Sequence, residues 1–190
     1  MPMQPSPCAV LITGIQAAGK STVGRLLASR FERGAFIEGD ELWQMVVGGR
    51  EDMSDPPSAE AVRQLHLRYR HGAMLASSFV DAGFVAVHVD NIYGSAVGEY
   101  LGRLSVPGAL IVLRPRPHAV EIRERARAKS AYTGWTTTGV RLIDAIVQFD
   151  RWVAETPRVG LWLDTSDMTA EEVVDTIIDR WSEALIDPVG

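Results

Sequence analysis

With one cysteine, Cys8, in 190 residues, the chain has no internal disulfide, and its core alone must hold the fold. No apolar run approaches the ~20 residues that a membrane-spanning helix needs, so no membrane partner is expected. Positive charge is short: 19 Lys and Arg against 24 Asp and Glu leave a formal net charge of −5. That balance argues against a broad nucleic-acid surface, which needs a basic face. Four histidines, His66, His71, His88 and His118, show no metal-ligand spacing. Internal repeats and low-complexity segments are absent as well. Met1 to Pro7 hold three prolines and lack the basic start and long apolar core of a signal peptide. The expectation is a disordered tail over 1–7, one domain over 8–190, and a cytoplasmic setting.

What the chain does have is a phosphate-binding pattern in a telling context. Gly14-Ile15-Gln16-Ala17-Ala18-Gly19-Lys20-Ser21 reads G-x-x-x-x-G-K-S. Before it runs Ala9-Val10-Leu11-Ile12-Thr13, an apolar stretch of strand character. After it, Val23, Leu26, Leu27 and Phe31 recur at helical spacing. Strand, glycine loop and helix together form an anion nest at the positive end of a helix. Gly14, Gln16, Ala17, Ala18, Gly19, Lys20, Ser21 and Thr22 are therefore expected to hold a nucleoside triphosphate. Lys20 would reach the β- and γ-phosphates, and the Ser21 hydroxyl would ligate Mg²⁺.

Further on, apolar runs alternate with helical periods. Strands are predicted at 8–13, 35–38, 84–89, 109–113 and 159–163, and helices at 20–33, 58–82, 95–104, 117–129, 139–155 and 169–186. The last helix opens with the capping box Thr169-Ala170-Glu171-Glu172, and its stripe runs Val173, Val174, Ile177, Ile178 and Trp181. Continuously apolar strands separated by helices indicate a parallel sheet covered on both faces, an α/β fold. Ligands of such sheets gather beyond the carboxyl ends of the strands. That rule brings Lys20, Ser21, Asp40 and Asp90 to one edge.

Phosphoryl transfer needs a cradle, Mg²⁺, cations around the migrating group, and a residue that orients the acceptor hydroxyl. Asp40, after the second strand, is the candidate base or hydroxyl-orienting group, or else the N-cap of a helix at 41–47. Glu38 and Glu41 flank it as weaker candidates. Asp90 ends the third strand, where a carboxylate can serve magnesium, and Asn91 beside it can bond substrate. Arg123, Arg125, Arg127 and Lys129 lie on a basic helix, with Arg123 and Arg127 on one face. The polar, glycine-bounded stretch after them has the composition of a flap over a nucleotide, placed at about 123–139. The insertion at about 41–82 would supply the acceptor pocket, with Trp43 and Arg50 in it; most of the arginines among Arg63, Arg68 and Arg70 would sit on a helix surface.

These motifs, with Leu161-Trp162-Leu163-Asp164-Thr165-Ser166, resemble the small P-loop kinases of metabolites: gluconate kinase, shikimate kinase, adenylylsulfate kinase and chloramphenicol phosphotransferase. The likeness runs from about residue 9 to 186. It implies a three-layer P-loop NTPase fold with a five-stranded parallel sheet in the order 2-3-1-4-5. By resemblance, Gly39-Asp40 meets the acceptor hydroxyl, Arg123 lies against adenine, Arg127 is a flap arginine near the phosphates, and Thr165 and Ser166 border adenine. The chain departs from shikimate kinases at Asp90-Asn91-Ile92-Tyr93-Gly94, where those carry a glycine triplet. Met45 to Pro57 lacks the gluconate-kinase pattern. The reading is an ATP- and Mg²⁺-dependent phosphotransferase acting on a small hydroxylated acceptor: sugar acid, nucleoside or antibiotic. A nucleotide-dependent switch without transfer chemistry and a polynucleotide 5′-kinase are the alternatives.

Overall fold

A computed structural model describes residues 5–126, 132 and 139–186. β1 (Ala9–Thr13), β2 (Gly34–Glu38), β3 (Val85–Val89), β4 (Gly108–Leu113) and β5 (Leu161–Leu163) form a parallel path in the order β2-β3-β1-β4-β5. β1 and β3 are buried along their whole length, as expected of central strands covered on both faces. In register, Leu11 lies between His88 of β3 and Leu110 of β4.

The faces can be assigned from two glycines. Gly24, in α1 (Lys20–Ser29), sits so close to Val89 that a Cβ there would lie 2.4 Å from a Val89 methyl. Gly72, in α3 (Ala59–Asp81), meets the next residue back, with a Cβ 2.2 Å from the His88 ring. Successive strand residues point to opposite faces, so α1 and α3 cover opposite sides of the sheet. Between them in sequence lie α2 (Gly39–Gln44) and a loop leading to Ser58, whose hydroxyl caps α3 by accepting from the Ala61 N–H at 2.9 Å. α4 (Ser95–Leu101), α5 (Pro117–Arg125) and α6 (Leu142–Ala154) complete the middle of the chain, with α5 packed on α6.

The C-terminal helix differs from its prediction. α7 (Ala170–Asp179) opens on the full capping box, with Thr169 and Glu172 bonded reciprocally, and buries Val173, Val174 and Ile177 against α1. It then breaks at Arg180, whose φ of −109° and ψ of 25° leave the helical region. A single turn, α8 (Trp181–Ala184), follows, and Leu185–Ile186 form β6. β6 pairs antiparallel with the start of β4, adding a sixth strand that the apolar pattern did not announce. Trp181, the last member of the predicted stripe, thus lies past the end of α7 and packs edge-on against Phe31 at 5.5 Å. The predicted helix at 41–47 begins two residues earlier and stops at Gln44. No helix among the described residues is long and apolar enough to cross a membrane.

Candidate active site

The phosphate loop leaves β1 and enters α1 through Gly14 at φ 146°, Ala17 at φ 60° and Gly19 at φ 98°. Such alternation of backbone handedness turns successive N–H groups toward one concave side, ready for anionic oxygens. Gly14 is fixed by space as well, since a Cβ would lie 2.3 Å from the Leu113 carbonyl at the end of β4. Lys20 opens α1, and its Nζ donates to the Ile15 carbonyl at 2.8 Å, which holds the ammonium over the loop. Ser21 follows, and its hydroxyl bonds the Glu38 carboxylate at the end of β2. Burial is the main reason Glu38 holds its proton more tightly than an ordinary carboxylate. The Ser21 hydrogen bond opposes this, Asp40 adds to it, Lys20 opposes it, and Asp90 adds again. Glu38, a weaker candidate than Asp40 for the acceptor end, is thus bonded to the hydroxyl expected to ligate Mg²⁺. No all-protein cage of three or more His, Cys, Asp or Glu side chains exists among the described residues. An Mg²⁺ ion here would rest on Ser21, with Glu38 beside it, and on phosphate oxygens and water, as its octahedral shell prefers.

Arg123 forms one wall of the site. Its guanidinium donates to the Thr165 carbonyl at 2.6 Å, and more weakly to the Ser166 carbonyl at 3.4 Å and the Ala18 carbonyl at 3.5 Å. It thereby ties the phosphate loop to the loop after β5, and joins four predicted nucleotide residues from three parts of the chain: Ala18, Arg123, and Thr165 with Ser166. Tyr132 is fully buried, packs edge-on against Phe149, and donates to the Gln16 carbonyl at 3.2 Å. Arg127 and most of the predicted flap lie outside the described residues.

On the other side of Gln16 opens a cleft of about 780 Å³. Gln16, Asp40, Trp43, Arg50 and Asn91 all line it, so four of the five predicted substrate residues meet there. Tyr69, Tyr93, Phe149 and Trp152 complete an aromatic wall. Asp40 is the second residue of α2, its side chain 74% exposed. Asp90, predicted for magnesium or acceptor, lies instead behind the wall with its side chain 1% exposed. Its Oδ1 accepts from Arg68 Nη2 at 2.6 Å and from the Asn91 N–H at 2.6 Å.

Arg68, one of the insertion arginines of which most are expected on a helix surface, lines the cleft instead. Unlike Arg63, whose side chain is 71% exposed, it is only 10% exposed. Its guanidinium bridges Asp90 and, at 3.9 Å, Asp40, and lies 5.8 Å from the Trp43 ring. Burial opposes its charge, yet the neighbouring Asp90, Tyr69 and Asp40 raise its proton affinity above the ordinary arginine value. A signal existed: Ala61, Gln64 and Gly72 are buried on α3, and position 68 falls on their stripe at helical spacing.

Neither a protein-family model nor a curated protein matches the sequence. Solved structures do match. A sugar kinase from Janibacter sp. HTCC2649, solved unliganded, superposes with a TM-score of 0.66 at 15% identity, covering 94% of this chain and 96% of that one. The APS kinase of Mycobacterium tuberculosis, in complex with AMPPNP and APS, gives 0.65 at 15% identity, with 94% and 99% covered. Shikimate kinase from Bacteroides thetaiotaomicron gives 0.60 at 15% identity, with 92% and 98% covered. The chain has the P-loop NTPase fold of these kinases, with the strand order 2-3-1-4-5.

Proposed function

We propose that the chain is an ATP-dependent phosphotransferase that moves the γ-phosphate of ATP to a hydroxyl of a small molecule. The observation that carries this reading is the continuity of two sites. The cleft begins at Gln16, inside the phosphate loop, and has the Asp40 carboxylate among its lining residues. A bound triphosphate and an acceptor hydroxyl would therefore meet beside Asp40. The fold neighbours support it, one being an APS kinase in complex with AMPPNP and APS.

In this reading the loop amides and Lys20 hold the β- and γ-phosphates, and Arg123 flanks the base with Thr165 and Ser166. Mg²⁺ bound at Ser21 would neutralise charge on the phosphate oxygens. Asp40 holds the acceptor hydroxyl in line and takes its proton as the phosphoryl group passes from the ADP oxygen to the acceptor oxygen. Arg68 sets the place of Asp40 from behind. Arg127 and the segment around it would complete the cationic shell and exclude water.

Asp40→Asn tests the reading. It keeps the size of the side chain, and Asp40 is an exposed residue of the first turn of α2, inside the helix rather than at its cap, so stability should hold. ATP affinity, measured by calorimetry, should be preserved, while turnover with an acceptor falls by about 10²–10⁴-fold. Equal turnover in both proteins would reduce Asp40 to an exposed first-turn residue of α2, whose N-cap is Glu38 rather than the expected Asp40, and favour the switch alternative. Loss of ATP affinity alone would place Asp40 in the metal shell.

A further inference from the structure

The solvent face of α3 gathers apolar surface that the fold itself does not use. Nine large apolar side chains are exposed among the described residues, and three of them, Met74, Leu75 and Phe79, stand on neighbouring turns of this one helix. Met74 is 62% exposed. Phe79 packs edge-on against Phe84 at 5.9 Å, so the patch runs on past the helix end. Apolar side chains scattered singly over a surface need no reason, but a contiguous patch rimmed by charge marks a contact surface.

Two charged residues lie along one edge of that face. Arg70 and Asp81 are both exposed, and neither has an ion-pair partner among the described residues. Asp81 is the last residue of α3, and nothing basic stands in the final turn. An anion there opposes the negative end of the helix dipole. Arg33 reaches the same end, but its guanidinium donates to the Ala82 carbonyl at 2.8 Å and stacks on Phe84 at 4.4 Å. Asp81 thus lacks the cation that its position calls for.

The spacing indicates where that cation comes from. Arg70 and Asp81 are only ~20° apart around the helix but ~16 Å apart along it, too far to meet within one chain. Two copies of α3 packed antiparallel about a two-fold axis reverse the order along the helix and keep each edge on its own side. With the axis between residues 75 and 76, Arg70 of each copy faces Asp81 of the other. Met74 and Leu75 of both copies then meet at the centre, and Phe79 with Phe84 closes the far edge. His71 and Ser78 line the middle of the seam. One register satisfies the charged ends and the apolar centre together.

We propose that the chain forms a weak two-fold dimer through α3, sealed by Met74, Leu75 and Phe79 and set in register by two Arg70–Asp81 pairs. A contact confined to one helix is smaller than the ~800 Å² per partner of a standard interface, so association belongs in the micromolar range. The exposed pairs choose orientation and register more than they add affinity. The dimer stands apart from the kinase reading and holds whether or not the chain transfers phosphate.

Sedimentation velocity of the full chain from about 1 to about 300 μM tests this, and the wild-type protein should pass from monomer to dimer over that range. Met74→Glu places a charge at the axis and should weaken the dimer at least about tenfold. Its urea midpoint should match wild type, because the side chain is exposed. Arg70→Asp and Asp81→Arg each set like charges against each other at both ends, and each should weaken association at least about tenfold. The first lowers the net charge and the second raises it, so a loss shared by both has no source in overall repulsion. The two variants mixed in equal amounts pair opposite charges at both ends, and should associate within about threefold of wild type. A chain that stays monomeric throughout overturns the proposal. So does a dimer that Met74→Glu leaves intact, and so does a mixture no more associated than its two components.

Discussion

A methyl group on Gly39 would sit 2.4 Å from the Asp90 carboxylate. That carboxylate is pinned by Arg68 and by the Asn91 amide, so it cannot yield without breaking a buried ion pair. Glycine at this position is thus a matter of space, set by a residue fifty-one positions away. Gly39→Ala should cost about 1–3 kcal/mol, in the range of other overpacked sites, and urea unfolding measures it. A change within about 0.5 kcal/mol, typical of surface substitutions, would mean that the carboxylate shifts freely and that the Arg68 pair is loose. Residues of this kind are where the sequence was least legible. Lys20 and Ser21 announce themselves by local pattern, because the phosphate loop is one contiguous device, and Asp40 by its place just after an apolar strand. Arg68 and Asp90 are twenty-two residues apart, and neither carries a local mark of the other. Asp90 could be placed at a strand end from the sequence, but what it faces depends on how α3 crosses the sheet.

At the scale of elements, the five parallel strands were legible to within a residue or two because each is a continuous apolar run between polar turns. The C-terminal helix was not, and the reason is specific. Trp181 and Leu185 continue the helical period past Ile177, so periodicity alone cannot register the break at Arg180. The turn there is set by the pairing of Leu185 with Ala109, a contact of long sequence separation. The start of α7 was legible, because Thr169 and Glu172 are three residues apart and bond as the spacing implies. Thr169→Ala removes one half of that box and should lower stability by about 1 kcal/mol, seen as a reduced thermal midpoint. Nucleotide affinity should stay unchanged, since the cap bonds lie within the first turn of α7, between Thr169 and Glu172, while Arg123 is anchored by the Thr165 and Ser166 carbonyls. A fall in affinity comparable to the fall in stability would show that α7 and the nucleotide site are coupled.

For the molecule as a whole, the most telling titratable group is His88, fully buried in the central sheet. Its Nδ1 lies 2.9 Å from the Tyr100 hydroxyl, and the two rings stack at 5.3 Å. Burial pushes its pKa down to about 4, with Asp90 opposing and Arg68 assisting. The unfolded chain takes up this proton near pH 6.5 and the folded chain only near 4, so acid favours the unfolded state across that interval. Stability should be complete above pH 6.5 and fall by roughly 3 kcal/mol, from this group, by pH 4. His88→Gln should be less stable at neutral pH but lose stability more shallowly over the same window, as read from urea midpoints at each pH. Parallel slopes for the two proteins would assign the acid sensitivity to other groups.

The β4 strand has one further consequence. Its outer side is divided between two partners, β5 along the carboxyl half and β6 along the amino half. Unpaired backbone along a sheet edge is a template on which a foreign strand can add, and long flat edges invite fibre growth. Within the described residues this edge is made of one strand of three residues and one of two, running in opposite directions. Neither is long enough to seat an incoming strand in register. A change that loosened Leu185–Ile186 would bare the amino half of β4, and its first harm would be to colloidal stability, as sheet-to-sheet aggregation at high concentration.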